Sequence, residues 1–198
     1  MKREAKLKRK TSETDIEIEL KLDKPEIPNI NTGIGFFDHM LTSFAFHGEF
    51  GLKVKCKGDL NVDGHHTVED VGIVLGRCFN EALGDKAGIA RFGEKIIPMD
   101  EALGLCAVDV SGRAFLVFEG EFKNQKVGDF ELCLFEEFLR AFAVNAGITL
   151  HVKVVYGKND HHKIEACFKA MARAMKEAVI IISECEGAAP TLSTKGVL

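Results

Sequence analysis

The sequence predicts an α+β fold made of two copies of one unit, in which each β-sheet is covered by two helices. Two observations predict this duplication. The pattern His-His-x-x-Glu occurs twice, at His65–Glu69 and at His161–Glu165. Superposing Phe37 on Phe135 also aligns apolar positions along both halves of the chain. Neither half has enough apolar residues for a comfortable core of its own, so we expect the helices of the two copies to pack face to face.

The first repeat, residues 1–92, is predicted to contain strands and two helices. Alternating apolar and charged residues at positions 16–20 are typical of a half-buried strand. Residues 24–32 carry two prolines and two asparagines, which indicate a loop. A helical period over residues 35–46 ends at His47-Gly48. A strand at 52–56 then leads through a polar turn into a helix whose apolar period covers residues 68–83.

The second repeat, residues 93–198, is predicted to follow the same order. Residues 103–110 and 114–120 are predicted to pair as a hairpin across Ser111-Gly112. A helix at 130–146 and a strand at 148–155 follow, and a turn at 157–160 leads to the second helix with a His-His start. The boundary between the repeats falls near Arg91-Phe92.

The doubled His-His-x-x-Glu pattern predicts two metal ions. Positions four apart lie on one helix face, whereas neighbours point about 100° apart. In each copy the first histidine can therefore share an ion with the glutamate, and the second histidine faces elsewhere. This division favours two ions, each bound by a His/Glu pair from one copy and a lone histidine from the other. The preceding helices add His39 and Glu137, which gives each ion four protein donors. The simpler alternative is a set of solvated surface pairs, which the repetition disfavours.

Composition and charge argue against a nucleic-acid-binding, membrane or secreted protein. The chain has 198 residues, 46% of them apolar and 28% charged, and a formal net charge of −4, all of which is ordinary for a soluble globular protein. The basic residues near the N-terminus form no sustained stripe, so no nucleic-acid partner is expected. No apolar run approaches the roughly 20 residues that cross a bilayer, and the N-terminus lacks a signal peptide's apolar core. We therefore expect a cytoplasmic protein with no membrane partner.

Six stretches spread over nearly the whole chain carry a resemblance to a known family: Arg9–Thr14, Gly35–Leu41, Gly64–Asp70, Ser111–Arg113, Asp160–Ala166 and Ser193–Leu198. By these stretches the chain resembles the imidazoleglycerol-phosphate dehydratases of histidine biosynthesis. The resemblance implies a ribosomal protein S5 domain 2-like fold, with four helices packed between two mixed β-sheets. It also implies a homo-oligomer, a 24-subunit shell in which the ligands of one site come from more than one subunit. Spacing alone leaves open that each site is complete within one chain.

The resemblance implies two Mn²⁺ ions per active site. One ion would be bound by His39, His66, His161 and Glu165, and the other by His65, Glu69, Glu137 and His162. Many relatives have histidine at the position of Glu137. A carboxylate is also an acceptable ligand for Mn²⁺, and the neighbouring Glu136 is the alternative ligand.

The activity that the resemblance implies is dehydration of D-erythro-imidazole glycerol phosphate to imidazole acetol phosphate. Ions on both ring nitrogens would favour the imidazolate, which helps to expel the hydroxyl group on the adjacent carbon. The metal ligands other than Glu137 are therefore also predicted catalytic residues, together with Glu13. Glu13 would bind substrate and act as general base, and water activated by a metal ion is the rival base. For the substrate phosphate the resemblance points to Arg91, Arg113, Lys169, Ser193 and Lys195.

Two other functions remain open on the sequence. A dinuclear metallohydrolase acting on a phosphate ester would use the same ions to activate water. A protein without enzymatic activity would use the ions only to hold an oligomer together. Release of free phosphate would distinguish the hydrolase from a dehydratase. Open or water-filled coordination positions on the ions would argue against the purely structural role.

Overall fold

The computed structural model describes residues 2–182, and its first half forms one sheet and two helices. The elements of this half are β1 (Glu4–Lys10), β2 (Thr14–Lys21), β3 (Asn29–Asn31), α1 (Gly35–Gly48), β4 (Gly51–Gly58) and α2 (His65–Leu83). The elements of the second half are β5 (Phe92–Met99), β6 (Ala102–Asp109), β7 (Phe115–Glu119), β8 (Lys126–Val127), β9 (Phe130–Glu131), α3 (Leu134–Ala146), β10 (Thr149–Tyr156) and α4 (Asp160–Val179).

The two large sheets have the same topology. Their strand orders are β1-β2-β4-β3 and β5-β6-β10-β7, and β8 pairs only with β9. In each large sheet the first three strands are antiparallel, and the last strand is parallel to its neighbour. Both sheets are therefore mixed, and the α+β fold with four helices is confirmed. The division into residues 1–92 and 93–198 stays a prediction, since one continuous core includes buried residues of both halves.

The predicted hairpin across Ser111-Gly112 was wrong. The strands β6 and β7 exist, but β10 lies between them and pairs antiparallel with β6 and parallel with β7. β10 carries Leu150 and Val152, which are almost fully buried. A strand with such a buried face takes the centre of the sheet, where both of its edges are paired. Proximity in sequence favoured the hairpin, whereas the tertiary packing determined the strand order.

Two edge strands were not predicted. β3 forms inside the segment that was predicted as a loop, and it pairs in parallel with β4. It has three residues, two of them asparagine, so no alternating pattern marks it. β5 pairs with β6 along its full length although it contains Pro98, which an edge strand tolerates because one side needs no donor. Both strands depend on a partner that supplies the hydrogen bonds.

Helix pairing brings the functional segments together. α1 packs against α4 and α2 against α3, while α2 also covers the first sheet and α4 the second. Phenylalanines fill the space between the helices, with Phe37 against Phe138 and Phe79 against Phe142 at ring-centre distances of 5.3 and 5.4 Å. As a result, the start of α4 lies beside α1. Within the described part of the chain, none of the helices combines the length and apolar character that a transmembrane span requires.

Candidate active site

Three of the predicted metal ligands meet where α1 passes the start of α4. Nε2 of His161 lies 3.1 Å from Oε2 of Glu165, and Nε2 of His39 lies 3.7 Å from the same oxygen. The ligand atoms of these three residues all lie within 4.8 Å of one another. Metal–ligand bonds to nitrogen and oxygen are about 2.0–2.2 Å long, so donors at this separation need only small movements to share one ion. We call His39, His161 and Glu165 the triad.

Glu165 is held in its charged form although it is only 7% exposed. Nζ of Lys169 lies 2.7 Å from its Oε1. Burial by itself raises the pKa of Glu165, but the hydrogen bond and charge of Lys169, together with the two triad histidines, outweigh burial and hold the pKa below its ordinary value. The two carboxylate oxygens are thus divided, with Oε1 toward Lys169 and Oε2 toward the histidines. This places Lys169 beside the triad.

The start of α4 is fixed by local sequence. The side chain of Asn159 caps the helix by accepting a hydrogen bond of 2.9 Å from the backbone N–H of His161. Asp160 is 1% exposed and forms an ion pair of 2.8 Å with Lys163. Its other oxygen accepts hydrogen bonds from the backbone amides of residues 123 and 124. These contacts define the first turn of α4 and hence the direction of the histidine that follows.

His66, the predicted fourth ligand of the triad's ion, is not beside the triad in this chain. Its Nδ1 lies 3.0 Å from Oδ2 of Asp59, and its Nε2 lies 3.8 Å from Oε1 of Glu13. Asp59 raises the pKa of His66 above its ordinary value through this hydrogen bond. The predicted general base Glu13 and this histidine are therefore neighbours.

His162 has the same kind of surroundings at the start of α4. Its Nδ1 lies 2.7 Å from Oε2 of Glu101, and its Nε2 lies 3.8 Å from Oδ2 of Asp100. The hydrogen bond from His162, followed by those from the backbone amides of Asn159 and Lys158, lowers the pKa of Glu101 to about 2. Glu101 in turn raises the pKa of His162. Sequence reasoning missed both Asp59 and Glu101, because neither has a fixed spacing to its histidine.

The remaining predicted ligands do not converge within one chain. His65 and Glu69 are 3.8 Å apart on one face of α2, as predicted from their spacing. Glu137, on α3, lies 3.8 Å from Arg140 instead, and Glu136 contacts the same arginine at 2.5 Å. Among residues 2–182 the triad is the one group of three or more close donors that could hold an ion. The second ion and its ligands therefore stay a prediction.

Glu13 lies in the turn between β1 and β2, and side-chain contacts with Asp70 hold this turn against α2. Asp70 is 6% exposed and accepts a hydrogen bond of 2.5 Å from Oγ1 of Thr14. Arg9 forms an ion pair with the same carboxylate. Thr11 Oγ1 accepts the backbone N–H groups of Glu13 and Thr14. The turn that presents Glu13 is thus tied to the helix that carries His66.

Two of the predicted phosphate-binding residues lie together at the other end of α4. Arg91 pairs with Asp109 through contacts of 2.7 and 3.1 Å, and Nη2 of Arg113 lies 3.5 Å from the same carboxylate. The backbone N–H of Arg91 donates to the carbonyl of Ala178. Ala178 follows Glu165 by 13 positions, which is roughly 20 Å along a helix. In one chain the arginines are therefore far from the triad. Ser193 and Lys195 lie outside the described residues.

Comparisons with known proteins show the family of the chain. The family model described as imidazoleglycerol-phosphate dehydratase matches residues 32–175. The chain is 56% identical to the imidazoleglycerol-phosphate dehydratase of Streptococcus sanguinis over 99% of its own length and 100% of that protein. A Staphylococcus aureus crystal structure of that enzyme aligns at 40% identity with a TM-score of 0.82, covering 90% of this chain and 99% of the other. One from Pyrococcus furiosus aligns at 38% identity and a TM-score of 0.80, with 97% and 100% covered. The chain therefore belongs to the imidazoleglycerol-phosphate dehydratase family, a family of hydro-lyase enzymes.

Proposed function

We propose that this enzyme dehydrates D-erythro-imidazole glycerol phosphate to imidazole acetol phosphate in histidine biosynthesis, with manganese bound at its active site. The observation that carries the metal part of the proposal is the convergence of His39, His161 and Glu165. Two imidazole nitrogens and a charged carboxylate oxygen within 4.8 Å are a donor set that suits a divalent ion such as Mn²⁺. The family membership carries the reaction.

The proposed ligand sets are those that the family resemblance implies, and they agree with the helix faces. The triad would bind one ion together with His66 of another copy of the chain. His65, Glu69, Glu137 and His162 would bind the second ion, again with contributions from more than one copy. Two ions held by these residues would supply positive charge that favours the imidazolate form of the substrate ring.

The chain's own residues would perform the other tasks. Glu13 lies 3.8 Å from His66, so a copy that supplies this histidine to a metal also brings the proposed general base to the side chain of the substrate. Arg91 and Arg113 already converge on one carboxylate, Asp109, and a guanidinium pair of this kind suits a phosphate group. Lys169, Ser193 and Lys195 are proposed as further phosphate-binding residues.

The distance between these groups supports a shared active site. The triad and the arginine pair lie at opposite ends of α4, roughly 20 Å apart, which a small phosphate substrate cannot bridge. His66 also faces away from the triad. We therefore propose that each site is assembled from more than one copy, in a homo-oligomer that would be a 24-subunit shell.

The direct test is product analysis with and without metal. We expect the chelator-treated enzyme to lose activity and added Mn²⁺ to restore it, with a product that is an enolisable ketone and retains its phosphate. Release of free phosphate would instead identify a phosphate-ester hydrolase. Full activity after complete removal of metal would contradict the role of manganese. A bound metal without turnover of this substrate would indicate a structural ion.

A further inference from the structure

The two histidines that face away from the triad share one arrangement. In each, Nδ1 contacts a carboxylate: Asp59 at 3.0 Å from His66, and Glu101 at 2.7 Å from His162. The carboxylates come from unrelated places, one from the loop after β4 and the other from the turn between β5 and β6. The same kind of contact therefore occurs at both copies of the motif, although the two carboxylates lie in different parts of the repeat.

A carboxylate at Nδ1 determines which ring nitrogen can bind a metal. An ionised carboxylate only accepts hydrogen bonds, so it selects the form of imidazole that carries its proton on Nδ1. The lone pair is then on Nε2, and Nε2 becomes the metal-binding atom. Metal-bound histidines commonly donate their other N–H to such a partner, which fixes the ring orientation and raises the basicity of the ligand.

Glu101 is itself held in a fixed direction. Its Oε1 accepts hydrogen bonds of 3.0 and 2.7 Å from the backbone amides of Lys158 and Asn159, immediately before α4. Its Oε2 is left for the histidine. Asp59 is less constrained, because both of its oxygens lie near Nδ1 of His66, at 3.3 and 3.0 Å.

We infer that Glu101 and Asp59 are positioning residues that present Nε2 of His162 and of His66 to the metal ions. This inference rests on the proposed manganese site and adds two residues to it. Neither carboxylate would bind the metal. Each would act through the histidine that it orients. Each would thereby raise the affinity of that histidine for the metal ion of a shared site.

The decisive variant is Glu101→Gln. Its amide oxygen can still accept the two backbone N–H groups, so its NH₂ group points at Nδ1 and donates there. That contact favours the opposite tautomer, with a proton on the metal-binding nitrogen. We expect the affinity of the chelator-treated protein for Mn²⁺, measured by titration calorimetry, to fall by about 10- to 100-fold.

Glu101→Ala separates positioning from a purely structural role. The alanine variant loses both backbone contacts but leaves Nδ1 free to choose its tautomer. A positioning role predicts weaker Mn²⁺ binding in E101Q than in E101A. A structural role predicts the reverse order, because glutamine preserves the contacts that join the β5–β6 turn to α4.

Asp59→Asn provides an independent measurement should E101Q fail to fold. Rotation of its amide group can return an oxygen to Nδ1, so we expect a smaller loss of affinity than in E101Q but a larger one than in Glu81→Gln. Glu81 is an exposed residue of α2 and serves as the matched control. Equal Mn²⁺ affinity in wild type, E101Q and D59N would overturn the inference alone. Absence of Mn²⁺ binding in the wild type would overturn the proposed manganese site instead.

Discussion

At the scale of single residues, the most informative side chain is Glu165. Its two oxygens have different partners, with Lys169 at 2.7 Å on Oε1 and His161 at 3.1 Å on Oε2. Three positive or polarisable neighbours keep a nearly buried carboxylate charged, which a metal ligand requires. The same neighbours explain why the donor group is already formed in a single chain.

Replacing this carboxylate by an amide should remove one ion selectively. Glu165→Gln keeps the shape of the side chain but loses the charge that is proposed to bind Mn²⁺. We expect elemental analysis to show about half of the wild-type manganese per chain, since the proposed second ion does not use Glu165. Glu81→Gln should retain the full content. An unchanged manganese content in E165Q would show that the triad is not a metal site.

A second prediction at this scale concerns the stability of the metal-free protein. The folded pKa of Glu101 is lowered from 4.5 to about 2, so its contribution is present above pH 4.5 and is lost as the pH falls toward 2. The folded pKa of His162 is raised above 6.5, so its contribution is complete below pH 6.5 and is lost as the pH rises through the folded value. The pair should therefore stabilise the fold most between these limits.

Urea unfolding at a series of pH values measures this window. The difference in unfolding free energy between wild type and E101Q should be largest from pH 4.5 to 6.5 and smaller on both sides. Glu81→Gln serves as the control for the loss of an exposed carboxylate on α2. A pH-independent difference for E101Q would mean that the ion pair does not contribute to stability.

At the scale of elements, close packing of helices determines where the predicted metal ligands lie. α2 and α3 approach each other at Gly76, where an added Cβ would lie 2.6 Å from the carbonyl oxygen of Phe142 and 2.9 Å from the backbone nitrogen of Ala146. Real Cβ atoms do not come this near to backbone atoms. Larger residues here would force the two helices apart, and these helices carry His65, Glu69 and Glu137.

The resulting prediction compares two Gly→Ala substitutions in helices. Gly76→Ala should destabilise the protein by about 1–3 kcal/mol, the usual cost of overpacking. Gly35→Ala, at the start of α1, meets no atom within 4 Å of its new Cβ, and should be neutral or stabilise by up to about 1 kcal/mol through helix propensity. Thermal or urea unfolding of both variants measures the contrast. Equal stabilities would indicate that the α2–α3 contact relaxes without cost.

At the scale of the whole molecule, the separation of triad and arginines predicts complementation between inactive variants. Glu165→Gln damages the triad, and Arg113→Ala removes an exposed guanidinium from the arginine pair. If one site takes these groups from different copies, coexpressed variants should form some sites with both groups intact. Random mixing in equal amounts gives about a quarter of the wild-type activity.

Activity at low substrate concentration shows whether the triad and the arginine pair of one site come from different copies or from one chain. Each variant alone should be nearly inactive, and the mixture should recover activity only when the chains are assembled together. Mixing the two finished oligomers without exchange of subunits is the matched control. Recovery no greater than the sum of the two parents would mean that one chain supplies both groups to one site.

Several features of the site were predictable because they depend on local periodicity. The four-residue spacing places His161 and Glu165 on one helix face, and the structure has their donor atoms 3.1 Å apart. The same spacing separates His65 and Glu69 by 3.8 Å. The pairing of His39 with the second motif came from the family resemblance, and the contact of α1 with α4 agrees with it. The two four-residue spacings follow from helix geometry, which the local sequence specifies directly.

Other features depended on contacts between distant segments. Glu101 contacts His162, which is 61 positions away in the sequence, and Arg91 contacts Asp109, which is 18 positions away. No local sequence pattern predicts either contact. The place of β10 between β6 and β7 likewise depends on tertiary packing, because both edges of β10 are paired and one of its faces, with Leu150 and Val152, is buried. The short polar strand β3 forms because its backbone pairs with the edge of β4.

By itself the sequence determined the four helices, the helix faces that carry the predicted metal donors, and the motifs that resemble a dehydratase family, since each of these depends on residues close together in the chain. Only the tertiary structure decided the strand order of each sheet, the carboxylates that contact His66 and His162, and the distance between triad and arginines. The physical reason is that periodicity fixes directions within one element, whereas contacts between elements depend on how the whole core packs.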